Sequence, residues 1–289
     1  MNNWSKSSLK GLLENCSWQW ALTHIYGLED HSTPQTLMGS AFHAAVEEHE
    51  RSREGGLSYY KNIASDWVMK EAQSVPEKSW LRHNAYPDTV AAMAAEAVRI
   101  WWEEPCRTKD GEGDTLRNIC LAREVVAVEP YFNVPVTKTS NVHGYIDIVH
   151  RTDSDIIVSD YKTASSFRRW TFNQGESIES SVYLYGATLS EFLPEGNIRF
   201  QWQVVSPKEG KSRLIEGPTY SSMHKKHIKE MVAKADVLKE LDAYRPRPDW
   251  NLCDPKWCSF FEGCQVTGLL SPSQLTISNK PVQLSEQVT

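Results

Sequence analysis

Two aspartates and a lysine in one short stretch carry the clearest chemistry in this sequence. The segment GYIDIVHRTDSDIIVSDYKTA, residues 144–164, reads as two strands joined by a turn centred on Asp153 and Ser154. In that register Asp147 and Asp160 face each other across the hairpin, with Cβ atoms ~5 Å apart. Lys162 lies two residues beyond Asp160 and so shares its face. Facing carboxylates repel, and a divalent cation held between them removes the conflict; oxygen donors suit Mg²⁺ or Mn²⁺. The lysine can hold a phosphate or orient a water. Together these groups suit metal-assisted hydrolysis of a phosphodiester. The plainer reading is an exposed hairpin face with an Asp–Lys salt bridge.

Cysteine supplies the second constellation. Cys253, Cys258 and Cys264 form C-x4-C-x5-C, a set that lacks its fourth ligand, and Cys16 is the natural candidate for it. Four thiolates suit structural zinc or a 4Fe-4S cluster, and spacing alone leaves both open. Either would tie the N-terminal helix to the C-terminal segment, a cross-link worth on the order of several kcal/mol in the chain-entropy account. Cys106 and Cys120 are expected to be free thiols. The first residues show no apolar h-region, so a cytoplasmic protein is expected, and there clustered cysteines more often bind metal than pair.

In their order along the chain, these motifs resemble the PD-(D/E)XK nuclease superfamily, and most closely its RecB-like branch, which includes CRISPR-associated and phage exonucleases. Gly39-Ser-Ala-Phe-His43 resembles the branch's G-x-x-x-H helix, Gly144-Tyr-Ile-Asp147 its G-x-[IV]-D strand, and Asp160-Tyr-Lys162-Thr163 its D-x-K-T. The resemblance implies that His43, Asp147, Asp160 and the backbone carbonyl of Tyr161 hold the metal, with Lys162 as the catalytic lysine. It offers Glu129 as an additional acid. It also favours a 4Fe-4S cluster at Cys16, Cys253, Cys258 and Cys264, although relatives often have C-x2-C where this chain has C-x4-C. The family's Gln-x-x-x-Tyr element is matched at Tyr185, with Ser181 where glutamine is expected. Tyr183 and Tyr185 also read as core aromatics.

The resemblance implies a DNA exonuclease acting on single strands or frayed ends, with recombination or CRISPR-adaptation proteins as partners. A DNA-binding accessory protein with a decayed nuclease core is the alternative, and a restriction-type endonuclease a third reading. SSFRRWTF, directly after the lysine, offers Arg168 and Arg169 for phosphate and Trp170 or Phe172 for stacking. Lys208, Lys211 and Arg213 read as a second basic loop.

Positioning these groups requires an α/β (mixed α+β) chain with a restriction-endonuclease-like core: a central mixed sheet flanked by helices. A helix capped by Ser7 or Ser8 carries Leu9, Leu12, Leu13 and Cys16 on one stripe and ends near Gly27. A second starts at Thr33-Pro34, carries His43 one turn before Glu47, and stops at Gly55-Gly56. Helices follow over 57–73 and 88–103, with a loop at 109–114. Strands are expected at 124–136, 142–150 and 155–162, then a helix at 177–191, a strand at 198–205 and a helix at 223–241. One nuclease domain is expected over 1–267, with a helical insertion at 57–120, a metal-cluster segment at 250–265 and a flexible tail at 268–289.

The composition bounds these readings. The 289 residues carry 31 Lys+Arg against 37 Asp+Glu, a formal net charge of −6. With 40% apolar and 24% charged residues, the chain is neither disordered, collagen-like nor a disulfide mini-protein. No apolar run reaches the ~20 residues of a membrane span. An acidic balance argues against a broad basic DNA face, but not against a locally basic channel.

Overall fold

The computed structural model describes residues 1–171, 177–189, 196–247, 253–254, 257–261 and 264. Phe172, the side chain of Arg169 and the segment 268–289 lie outside the described residues. The chain opens with β1 (Asn2–Ser5), α1 (Lys6–Leu13) and α2 (Ser17–His24), then α3 (Pro34–Ser52), α4 (Leu57–Glu71), α5 (Glu77–His83) and α6 (Pro87–Glu103). Next come β2 (Pro105–Thr108), β3 (Gly111–Thr115), α7 (Leu116–Leu121), β4 (Glu124–Val128), β5 (Tyr131–Pro135), β6 (Ser140–Tyr145), β7 (Ile148–Arg151) and β8 (Asp155–Thr163). α8 (Ile178–Thr188), β9 (Asn197–Ser206), β10 (Lys211–Thr219) and α9 (Ser222–Glu240) complete it.

Local chemistry sets the helix ends. Thr33 caps α3 through a capping box with Thr36, Pro34 fills the first turn, and Arg53 closes it in the left-handed region at φ 51°. Ser177 and Ser180 do the same for the start of α8. The predicted first helix is two: α1, capped by Ser5 and not by Ser7 or Ser8, stops at Glu14, and α2 starts after Cys16, which makes no side-chain capping bond.

A seven-stranded mixed sheet runs β3-β2-β10-β9-β8-β7-β4, and a three-stranded sheet runs β1-β6-β5. α8 links β8 to its parallel neighbour β9. One core, with residues from α1, α2, α8 and α9, packs on one side of the large sheet; the other, from α3, α4, α6 and α7, packs on the opposite side. β8 is therefore covered on both faces, which explains its unbroken run Ile156-Ile157-Val158.

The β7–β8 hairpin has the expected register: Arg151 pairs with Ile156 and Ile148 with Ser159 around the Asp153-Ser154 turn. Two expected strands are each split. The segment 124–136 breaks at Glu129, whose φ is 50°, and 142–150 breaks at Ile146-Asp147. The Glu129 N–H donates to the Asp147 carbonyl (3.0 Å) and the Ile146 N–H to the Pro130 carbonyl (3.2 Å). The two chains thus stay paired through the bend and pass together from the large sheet to the small one.

Three further expectations are corrected. The loop expected at 109–114 is the β2–β3 hairpin; β3 is an edge strand with little burial, so no apolar alternation marks it. Lys211 and Arg213 belong to β10, not to a loop. β1 shows no strand pattern, yet it pairs in parallel with β6. Cys106 and Cys120 are buried, and burial pushes their thiols up to about 11 and about 12.

Candidate active site

α3 lies across the end of β8. A Cβ on Gly39 would meet Thr163 Oγ1 at 3.3 Å, so the glycine lets this helix approach closely. That approach brings His43 Nε2 to 2.7 Å from the Tyr161 carbonyl oxygen. A carbonyl only accepts, so Nε2 carries the proton in this contact. The other ring nitrogen faces Asp147 Oδ2 at 3.5 Å. The same carboxylate oxygen accepts the Tyr161 N–H at 2.8 Å. His43, Asp147 and the backbone of Tyr161 thus converge on one spot.

Asp160 is fully buried beside it, and its Oδ2 contacts the Lys162 ammonium. Burial pushes the Asp160 carboxyl up and Lys162 pulls it down; Glu179 and Asp147 push it up again, leaving it at about 6. Burial would lower the Lys162 value, but Asp160 and Glu179 outweigh it and keep the ammonium charged.

Two residues join this site that the motifs alone did not single out. Glu179 Oε1 lies 3.2 Å from Lys162 Nζ and 2.8 Å from Lys6 Nζ, and Lys6 reaches Asp160 Oδ1 at 3.4 Å. Lys6 Nζ also donates to the Tyr183 hydroxyl (2.7 Å), and Trp202 Nε1 donates to Glu179 Oε2 (3.3 Å). The site therefore pairs two buried acids with two lysines. Burial would raise Glu179, but Lys162 and Lys6 hold it well below the usual carboxylate range. Glu179 and Tyr183 have the spacing of the Gln-x-x-x-Tyr element, with carboxylate in place of amide. The pattern E-x-x-x-Y is visible in the sequence; placing the element two residues later hid it.

A third missed residue is Glu47, one turn after His43. Burial first, then the charges of Glu129 and Asp147, push it up to about 8. Glu129 itself is exposed and bound to Arg51 at 2.9 Å. A separate wholly buried group lies under the site: ligand-type atoms of Glu50, Cys120 and His150 fall within 4.8 Å of one another. Arg53 reaches Glu50 Oε2 at 3.4 Å, and the Gln203 side chain contacts the Cys120 sulfur at 3.2 Å, so the group is arranged as a hydrogen-bond network.

The expected DNA contacts fare unevenly. Arg168 is exposed. Trp170 is half-buried against the first core, and its carbonyl accepts from Arg213 Nη1 at 2.6 Å. Tyr185 is corrected: it is buried, and its hydroxyl donates to the Pro135 carbonyl at 2.8 Å, which removes it from any DNA surface. Ser181 faces His227 Nδ1 at 3.2 Å, away from the lysines.

The four cysteines are close enough to act on one another. Burial pushes the Cys258 thiol up to about 11, and Cys16, Cys264 and Cys253 add to the shift. Phe260 is buried in the first core, so this C-terminal segment packs on the elements that carry Cys16.

The chain has recognisable similarity to known proteins. Over 195 residues the chain is 26% identical to an ATP-dependent helicase/nuclease subunit from Oenococcus oeni, covering 66% of this chain and 15% of that protein. The chain thus spans a small part of that relative's length. The solved structure of SSO0001 aligns over 94% of this chain and 97% of its own, at 14% identity and a TM-score of 0.30. The sequence pattern of the PD-(D/E)XK nuclease superfamily matches residues 3–265, nearly the whole core described above. The helicase/nuclease relative supports the RecB-like branch, and the chain belongs to the PD-(D/E)XK nuclease superfamily.

Proposed function

We propose that the protein is a Mg²⁺- or Mn²⁺-dependent DNA exonuclease acting on single-stranded or frayed ends. The carrying observation is the convergence of His43, Asp147, the Tyr161 backbone, Asp160 and Lys162 at the end of β8. One imidazole, two carboxylates and a carbonyl make a donor set suited to a hard or borderline divalent cation. Burial and neighbouring carboxylates push Asp160 up to about 6 and Glu47 up to about 8, so a cation bound among these crowded acids would favour their ionised forms. Bound there, the cation supplies Lewis acidity toward the phosphate and its attacking water. Lys162, kept protonated by its acids, orients the water or meets the charge that develops on the phosphate. Lys6 and Glu179 hold Asp160 and Lys162 in place.

The assay is degradation of end-labelled single- and double-stranded DNA with and without Mn²⁺, with closed circular DNA as the endonuclease control. Asp160→Ala with undiminished activity sinks the assignment. Single-strand binding without metal-dependent cleavage would favour an accessory protein instead.

The clustering of Cys16, Cys253, Cys258 and Cys264 supports a structural 4Fe-4S cluster. Anaerobic purification with iron, sulfide and zinc analysis tests it, and a colourless protein with stoichiometric zinc overturns it. The match to part of an ATP-dependent helicase/nuclease supports a recombination setting with a helicase partner.

A further inference from the structure

We propose that the outward face of the β1-β6-β5 sheet is a docking track for single-stranded nucleic acid, with Tyr131 and Tyr145 stacking on bases beside the scissile phosphate. The proposal rests on the nuclease reading above. Tyr131 and Tyr145 are a direct cross-strand pair, 51% and 59% exposed, with ring centroids 5.1 Å apart. His143 extends the aromatic row, 6.2 Å from Tyr131. Strand alternation places Asn133 and Asn141 on the same face, where the Asn141 amide donates to Asn133 Oδ1 at 3.0 Å. The opposite face carries Phe132, Val134 and Val142, which are buried in the first core.

Position and charge identify the occupant. Tyr145 precedes Asp147 by two residues and Tyr131 follows Glu129 by two, so both rings sit within ~7 Å of chain from the site. β1 delivers Lys6 at the same end of the sheet, because Ser5 pairs with His143. None of the residues in these three strands is Asp, Glu, Lys or Arg, although the chain holds 37 acids. A polyanion lying on this face therefore meets no carboxylate from the three strands themselves before it reaches the acids of the site. Exposed tyrosines, an imidazole and amides are what unpaired bases use for stacking and hydrogen bonds, and a base-paired duplex does not offer those base faces.

The test uses the full chain with a single-stranded oligonucleotide carrying 2-aminopurine near its end. Binding is read by fluorescence with Ca²⁺ replacing Mn²⁺, and cleavage by kcat and KM with Mn²⁺. The Tyr131→Ala/Tyr145→Ala double variant should weaken binding and raise KM by about tenfold or more, with little change in kcat and with loss of 2-aminopurine quenching. Tyr131→Phe/Tyr145→Phe keeps the rings and should behave as the parent. An alanine double variant with the parent's binding and KM overturns the track and leaves the face to a protein partner. If the parent cleaves nothing with any metal, the nuclease reading fails, while the fluorescence arm still decides the track.

Discussion

Replacing Lys6 by methionine keeps most of the apolar stem but removes the ammonium, which lies over the Tyr183 ring 4.6 Å from its centroid and donates to the Tyr183 hydroxyl. Asp160 and Glu179 would then face Lys162 alone. Asp160 is fully buried, whereas the Lys6 side chain keeps 23% exposure, so the cost belongs at the low end for breaking a buried pair, about 3 kcal/mol. Glu179→Gln alone leaves a lysine in excess, but Lys6 still reaches Asp160 and water, and the expected cost is about 1–2 kcal/mol. The double variant restores the balance of one acid to one lysine and places glutamine where the family's helix element has it. It should lose only about 1 kcal/mol, a coupling of about 3–4 kcal/mol between the two positions. Urea unfolding followed by tryptophan fluorescence measures all four proteins. The double variant should also keep the parent's nuclease activity better than Lys6→Met alone. If the two single losses simply add to within about 0.5 kcal/mol, Lys6 and Glu179 are not a compensating pair and the argument fails.

Three further outcomes are expected. Gly186→Ala should destabilise the protein by about 1–3 kcal/mol in thermal or urea unfolding. Its new Cβ would sit 2.5 Å from the buried ring of Phe132. Cys258→Ser should lower the bound metal per chain and the melting temperature together, measured by elemental analysis and calorimetry, because a cross-link between the N- and C-terminal segments is lost. Burial holds His150 below its usual 6.5, so it is neutral in the folded chain and charges more readily once unfolded. The unfolded state therefore binds the extra proton, and the stability this residue contributes is lost as pH falls below 6.5. Relative to His150→Gln, the parent should lose unfolding free energy between pH 7 and pH 5.

The hairpin around Asp153-Ser154 was legible because its register follows from one turn and from two strands of contrasting pattern. Gly39 and His43 were legible as a spacing, and the close approach of α3 to Thr163 gives that spacing its physical reason. Lys6 was not legible. A lysine at the start of an amphipathic helix reads as solvated, and only the parallel pairing of β1 with β6 carries it to Asp160. The bend at Glu129 was hidden as well, since a glutamate before a proline gives no sign of a left-handed backbone. Apolar periodicity records burial, not which sheet buries a strand, so 124–136 read as one element.

The N-terminal segment joins β6 through β1, the site through Lys6, and the cysteines through Cys16. Every one of those partners lies later in the chain, and the cysteines come last. During synthesis, which proceeds at about 5–20 residues per second, β1, α1 and α2 must wait for all of them. A ribosome-bound fragment that already holds His43, Asp147, Asp160 and Lys162 still lacks the clamp on α1 and α2. With the proposed metal cross-link at the cysteines, the order along the chain leaves the nuclease site unclamped at its N-terminal side until the cysteine segment has emerged.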